Sequence, residues 1–186
     1  MAIPLIPLRL LLAGLVLVSP GVLAHVAHQH GVAEVDLVRE GDELEIQLKV
    51  DGEGVVGFER APRDGAERSK VEAARAALGD GAALFLLPAG AACVMVAGDV
   101  DVPHADAADG HAHHDHDAAK PEAHADWKAS YRFECGRGTA ADSVDLAGLF
   151  AAFPGIARAN LQWITDDGQS GVALRPGRSR AALVAE

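Results

Sequence analysis

The sequence predicts an α+β domain: an antiparallel sheet, or sheets, with two or three short helices. Apolar and polar residues alternate on both sides of a turn between 33 and 50, the signature of a hairpin with one buried and one wet face. The same alternation returns over 127–135 with large aromatic side chains. Between and after these stretches, 66–78 and 146–153 carry apolar residues at helical spacing. Tight turns join most of the strands, which favours antiparallel pairing.

The first 24 residues have the form of a secretory signal peptide. One charge, Arg9, precedes the apolar run 10–18, then the helix-ending Ser19-Pro20-Gly21, with Val22 and Ala24 at the positions a signal peptidase reads. The run is short for a membrane span. Cleavage after Ala24 leaves a mature chain, 25–186, long enough for a single domain. With 16 Lys and Arg against 27 Asp and Glu, the formal net charge is −11, which gives no reason to expect binding to nucleic acid or, after cleavage, to a membrane surface.

The mature chain opens with His25-Val26-Ala27-His28-Gln29-His30-Gly31. In extended backbone His28 and His30 point the same way and form a chelating pair, whereas His25 joins them only through a bend. A strand follows, with Ala33, Val35 and Leu37 on its apolar face. After the turn Glu40-Gly41-Asp42 comes a second, with Leu44, Ile46, Leu48 and Val50. Residues 52–65 read as irregular, with Phe58 anchoring them to the core. The helix 66–78 places Val71, Ala74 and Leu78 on one face and stops at Gly79. Residues 84–87 form a short apolar turn, and 93–102 a strand of weak propensity ended by Pro103.

The stretch 103–124 is the compositional centre of the chain. It holds six of the nine histidines, namely His104, His111, His113, His114, His116 and His124, interleaved with Asp106, Asp109, Asp115, Asp117 and Glu122. Alanine, glycine and acidic residues fill the remainder, too little apolar surface to offset the entropy of ordering, so a disordered loop is expected. Imidazoles among carboxylates suit Zn(II), and also Cu(II) or Ni(II).

Beyond the loop, Trp127, Ala129, Tyr131, Phe133 and Cys135 share one face of a strand. A short helix capped by Asp142 or Ser143 follows, with Leu146, Leu149, Phe150 and Phe153 on its stripe. A hairpin of 161–165 with 170–175 turns across Asp166-Asp167-Gly168, and the tail from Pro176 reads as loose. The similar content of the two halves raises the hypothesis of pseudo-symmetric units joined by the His-rich loop. Export places Cys93 and Cys135, the two cysteines of the chain, in an oxidising compartment, and a disulfide closing the loop is expected.

The ordered set His28-Gln29-His30-Gly31, Gly57-Phe58-Glu59, the His- and acid-rich insert, Tyr131-Arg132-Phe133-Glu134-Cys135, Phe153-Pro154, Leu161-Gln162-Trp163 and Gly168-Gln169 resembles the ZrgA-type zinc-regulated periplasmic proteins over nearly all of the mature chain. The resemblance implies a periplasmic zinc binder that supports zinc acquisition beside a dedicated importer or that importer's periplasmic binding protein. It also implies histidine at position 60 in many relatives, where this chain carries Arg60. Copper handling is the alternative, since an α-amine at His25 beside its imidazole favours Cu(II). A small metalloenzyme is a weaker one, because the chain lacks His-Glu-x-x-His, a nucleophile elbow and a phosphate loop. An enzyme is therefore not expected.

Overall fold

The computed structural model describes residues 30–103, 126–137 and 141–184. Strand β1 (Val32–Glu40) and strand β2 (Glu43–Asp51) form the expected hairpin, with Leu37 opposite Ile46 and Ala33 opposite Val50. Six strands make one sheet when β3 (Val94–Asp101), β4 (Asp126–Glu134), β6 (Arg158–Thr165) and β7 (Gly168–Leu174) are added, in the order β3-β4-β2-β1-β6-β7. The sheet is mostly antiparallel. Its exception is the parallel pair β1 and β6, because the chain crosses from β4 to β6 over one face instead of turning back beside β4. Strand β4, which follows the histidine tract, lies between β2 and β3, which precede it, so the strands of the two halves interleave in one sheet.

Helices cover one face of the sheet. Ala33, Val35 and Leu37, Leu44, Ile46, Leu48 and Val50, Trp127, Ala129, Tyr131 and Phe133, and Ala159, Leu161 and Trp163 all point into a single core. The helices are α1 (Gly52–Val56), α2 (Gly65–Gly79), α3 (Gly81–Leu84) and α4 (Ala147–Ala152). Ala74 and Leu78 of α2, Leu84 of α3, and Leu149 and Phe150 of α4 enter the same core, with Phe85, Phe153 and Ile156 between them. The opposite face is mostly polar, with Val38, Ile164 and Val94 exposed on it: Arg132 reaches Glu43 and Glu45 at 3.4 Å each, and Lys49 reaches Asp126 at 2.9 Å.

Tyr131 ties the layers together. Its hydroxyl donates to the Leu78 carbonyl at 2.8 Å, its ring centre lies 5.4 Å from that of Phe85, and burial pushes its phenol pKa up.

Several local expectations are corrected. Residues 52–65 are not wholly irregular, because Asp51 caps a one-turn helix, α1, whose glycines mask its propensity. The run 84–87 is split: Leu84 ends α3, and Leu86 bridges Asp145. Neither Asp142 nor Ser143 caps α4. Ser143 begins a short strand, β5 (Ser143–Asp145), and Asp145 accepts the Ala147 N–H at 2.9 Å. The tail beyond Pro176 is not loose either, since β8 (Arg180–Ala182) pairs with β5 and buries Ala181 and Leu183.

Candidate metal centre

One end of the sheet gathers the chemistry. There β1 begins, β2 ends and β4 begins, with Asp51 opposite Asp126. Immediately before β1 the chain makes a turn at His30-Gly31, so His30 is not in the extended backbone expected of it. Gly31 takes φ +70°, and a Cβ there would lie 2.8 Å from the Gly155 carbonyl oxygen, so only glycine fits. The Gly31 carbonyl accepts N–H bonds from Ala157 at 2.8 Å and Arg158 at 3.2 Å. These bonds fix the turn that carries His30.

Asp51 holds two segments at once. Its carboxylate is buried; Oδ2 accepts the Gly31 N–H at 3.0 Å and Oδ1 accepts the Gly54 N–H as the cap of α1. Helix α1 ends after one turn at Gly57, in the left-handed region at φ +85°. The chain then folds back so closely that a Cβ on Gly52 would lie 2.6 Å from the Phe58 carbonyl oxygen. That return brings Glu59 beside α1.

The outcome is a convergence on one imidazole. His30 Nδ1 lies 3.0 Å from Glu53 Oε2 and 3.3 Å from Glu59 Oε1. One ligand-capable atom from each of His30, Asp51 and Glu59 falls within a sphere of mutual distances below 4.8 Å. Zinc holds nitrogen and oxygen ligands at about 2.0–2.2 Å, so neighbouring ligand atoms of a tetrahedral site stand about 3.3 Å apart. His30 and Glu59 stand at that spacing, and Asp51 completes the group, while Glu53 pairs with the imidazole from outside it. Glu59 is largely buried, with 17% of its side chain exposed, whereas His30 at 52% and Glu53 at 57% open the site to solvent.

Beside the site, Phe58 is half-buried, as an anchor of this segment should be, and the Arg60 guanidinium carbon lies 5.0 Å from its ring centre. Arg60 donates to both carboxylate oxygens of Glu67, which holds the Glu67 carboxyl down at about 2 and raises the arginine further. No metal-facing role of Arg60 is visible.

Of the residues singled out in the sequence, His30 is placed at this centre, and Cys93 and Cys135 form a disulfide. His25, His28, His104, His111, His113, His114, His116 and His124 lie outside the described residues, as do the signal segment and the loop 104–124. Asp51, Glu53 and Glu59 were not anticipated. A faint signal existed for one of them: Asp51, next to Gly-Glu-Gly at a strand end, has the form of a helix cap. The other two are brought in by the fold.

The disulfide sits away from the centre. Cys93 precedes β3 and Cys135 follows β4, so the bridge closes the end of their ladder opposite to the one where Asp101 pairs with Lys128. Both cysteines being bonded, the described residues offer no thiolate ligand. Among the described residues no helix is long and apolar enough to cross a membrane.

The model of the family described as ZrgA family zinc uptake protein matches residues 27–183. No curated protein matches the chain.

Proposed function

The chain belongs to the ZrgA family of zinc uptake proteins, and from that premise we propose that it captures Zn(II) in the periplasm at a site built on His30, Asp51 and Glu59, without catalysing a reaction. The observation that carries this reading is the convergence of one ligand-capable atom each from His30, Asp51 and Glu59, all within 4.8 Å of one another. Zinc is the cargo here. A nitrogen-and-oxygen donor set suits it, and the buried Asp51 also holds the turns that carry His30 and Glu53 in place. His28 is our choice for the next donor.

The partly exposed rim fits capture and release better than permanent retention. The acidic excess of the site draws a divalent cation, and the histidine tract 104–124 supplies further, weaker capacity for an importer to draw on. Export by the segment 1–24 and the Cys93–Cys135 disulfide agree with an oxidising compartment.

Zinc titration by calorimetry, on wild type, His30→Ala and Glu59→Gln, tests the reading. Each variant should lose at least tenfold in affinity at the tightest site. Unchanged affinity in both would remove the site from consideration, and wild-type protein that binds no zinc would remove the function.

A further inference from the structure

Arg60 follows Glu59 directly in the chain, so a guanidinium is tethered one residue from a carboxylate of the zinc site. A cation in that place repels a divalent ion and competes for the same carboxylate. In the structure its charge is engaged by Glu67: Nη1 and Nη2 donate to Glu67 Oε2 and Oε1 at 2.6 and 2.7 Å, above the Phe58 ring. Glu67 is fixed in turn. It lies in the first turn of α2, its Oε2 accepts the Arg63 N–H at 2.7 Å, and its own N–H donates to Asp64 Oδ1 at 2.8 Å.

We infer that Glu67 is a positioning residue for the zinc site, acting by holding the Arg60 charge away from Glu59. The inference rests on the assignment of Glu59 as a zinc ligand. Glu67 has two ways of influencing Glu59. It fastens the 57–63 segment to α2, and it occupies the guanidinium. The two differ in what removal of Arg60 does. A free cation is eliminated when Arg60 is replaced as well, whereas the fastening stays broken.

Calorimetric zinc titrations of the full chain decide it, with wild type, Glu67→Gln, Arg60→Gln, the double variant and Glu59→Gln run at low and moderate salt. Glu67→Gln should bind zinc about two- to fivefold more weakly, as one unit charge acting across roughly a Debye length implies, and the defect should shrink as salt rises. The double variant should return to within about twofold of wild type, and Arg60→Gln should bind no more weakly than wild type, the scale again being that of one screened charge. Arg60→Gln carries the test by itself if Glu67→Gln fails to fold. Wild-type affinity in Glu67→Gln, a double variant as weak as Glu67→Gln, or a weakened Arg60→Gln overturns the inference. Glu59→Gln separates the levels: if it binds zinc as wild type does, the ligand assignment fails and the inference with it. An impaired Glu59→Gln beside an unaffected Glu67→Gln overturns the inference alone.

Discussion

The carboxylate of Asp51 and the backbone N–H of Gly31 meet at 3.0 Å, joining the end of β2 to the turn in front of β1. The same carboxylate accepts the Gly54 N–H, so one buried group holds both the turn that carries His30 and the helix that carries Glu53. Asparagine offers a single acceptor oxygen and must turn its amide toward one of the two donors. Asp51→Asn should therefore lower stability by about 1–3 kcal/mol, the usual result of leaving a buried donor unpaired. It should also weaken zinc binding, because Asp51 both belongs to the candidate group and holds the turn that carries His30. Urea unfolding and calorimetry on the same preparation measure both; a stable variant with wild-type affinity would contradict the positioning role.

The disulfide should matter most at the sheet edge. Strand β3 is an edge strand with most of its residues exposed, so packing holds it weakly, and the Cys93–Cys135 bridge fastens its start to the end of β4. Replacing both cysteines by serine removes a cross-link spanning a sequence separation of 42, a loss of about 4 kcal/mol by chain entropy. Hydrogen exchange should accelerate in β3 before it does in β1 or β2. Equal acceleration in all three strands would argue against this local role.

Acid should weaken the Arg60–Glu67 latch in a definite window. Glu67 has its carboxyl lowered from 4.5 to about 2, first by the Arg60 hydrogen bonds and then by the Arg63 N–H. A depressed carboxyl contributes stability that is fully present above its ordinary pKa and is lost as pH falls from 4.5 toward 2. Asp145, lowered chiefly by the Ser179 hydroxyl, has the same sign. Urea midpoints measured from neutral pH downward should fall more steeply for wild type than for Glu67→Gln. Parallel curves would show that the latch does not couple to folding.

Two glycines make a paired test of packing. A methyl at Gly148 would run into the Ala83 carbonyl oxygen, where α4 crosses α3, whereas one at Gly79 would meet open space. Gly148→Ala should destabilise by about 1–3 kcal/mol or more through overpacking. Gly79→Ala, at the last residue of α2, should be neutral or stabilising by up to about 1 kcal/mol. Thermal melts compare them, and equal effects would undermine the described approach of α3 and α4.

Local patterns carried far into the fold, and then stopped for physical reasons. Alternation over 33–50 and 127–135 marks β1, β2 and β4 because a half-buried strand must alternate. The three-residue strands β5 and β8 are too short for any period, and their pairing depends on residues almost forty positions apart. The parallel contact of β1 with β6 is likewise set by tertiary packing, since nothing in Val35 or Leu161 alone names its neighbour. At the site, His30 stood out because histidines cluster around it. Glu53 looked like any other acidic residue of an acidic chain, and Glu59 stood in the Gly57-Phe58-Glu59 motif without any sign of a ligand role; only the one-turn helix with its Gly57 reversal brings both to the same imidazole.

The placement of the bridge has a consequence for how the chain tolerates variation in length. Strands β3 and β4 are locked covalently at one end of their ladder, while the link from Asp101 to Asp126 leaves from the other. Register between them is thus maintained without help from that link, and doubling its length would add only about 0.6 kcal/mol of closure entropy. Insertion or deletion there is therefore expected to change the histidine dosage of the protein while the β3–β4 register is kept by the bridge.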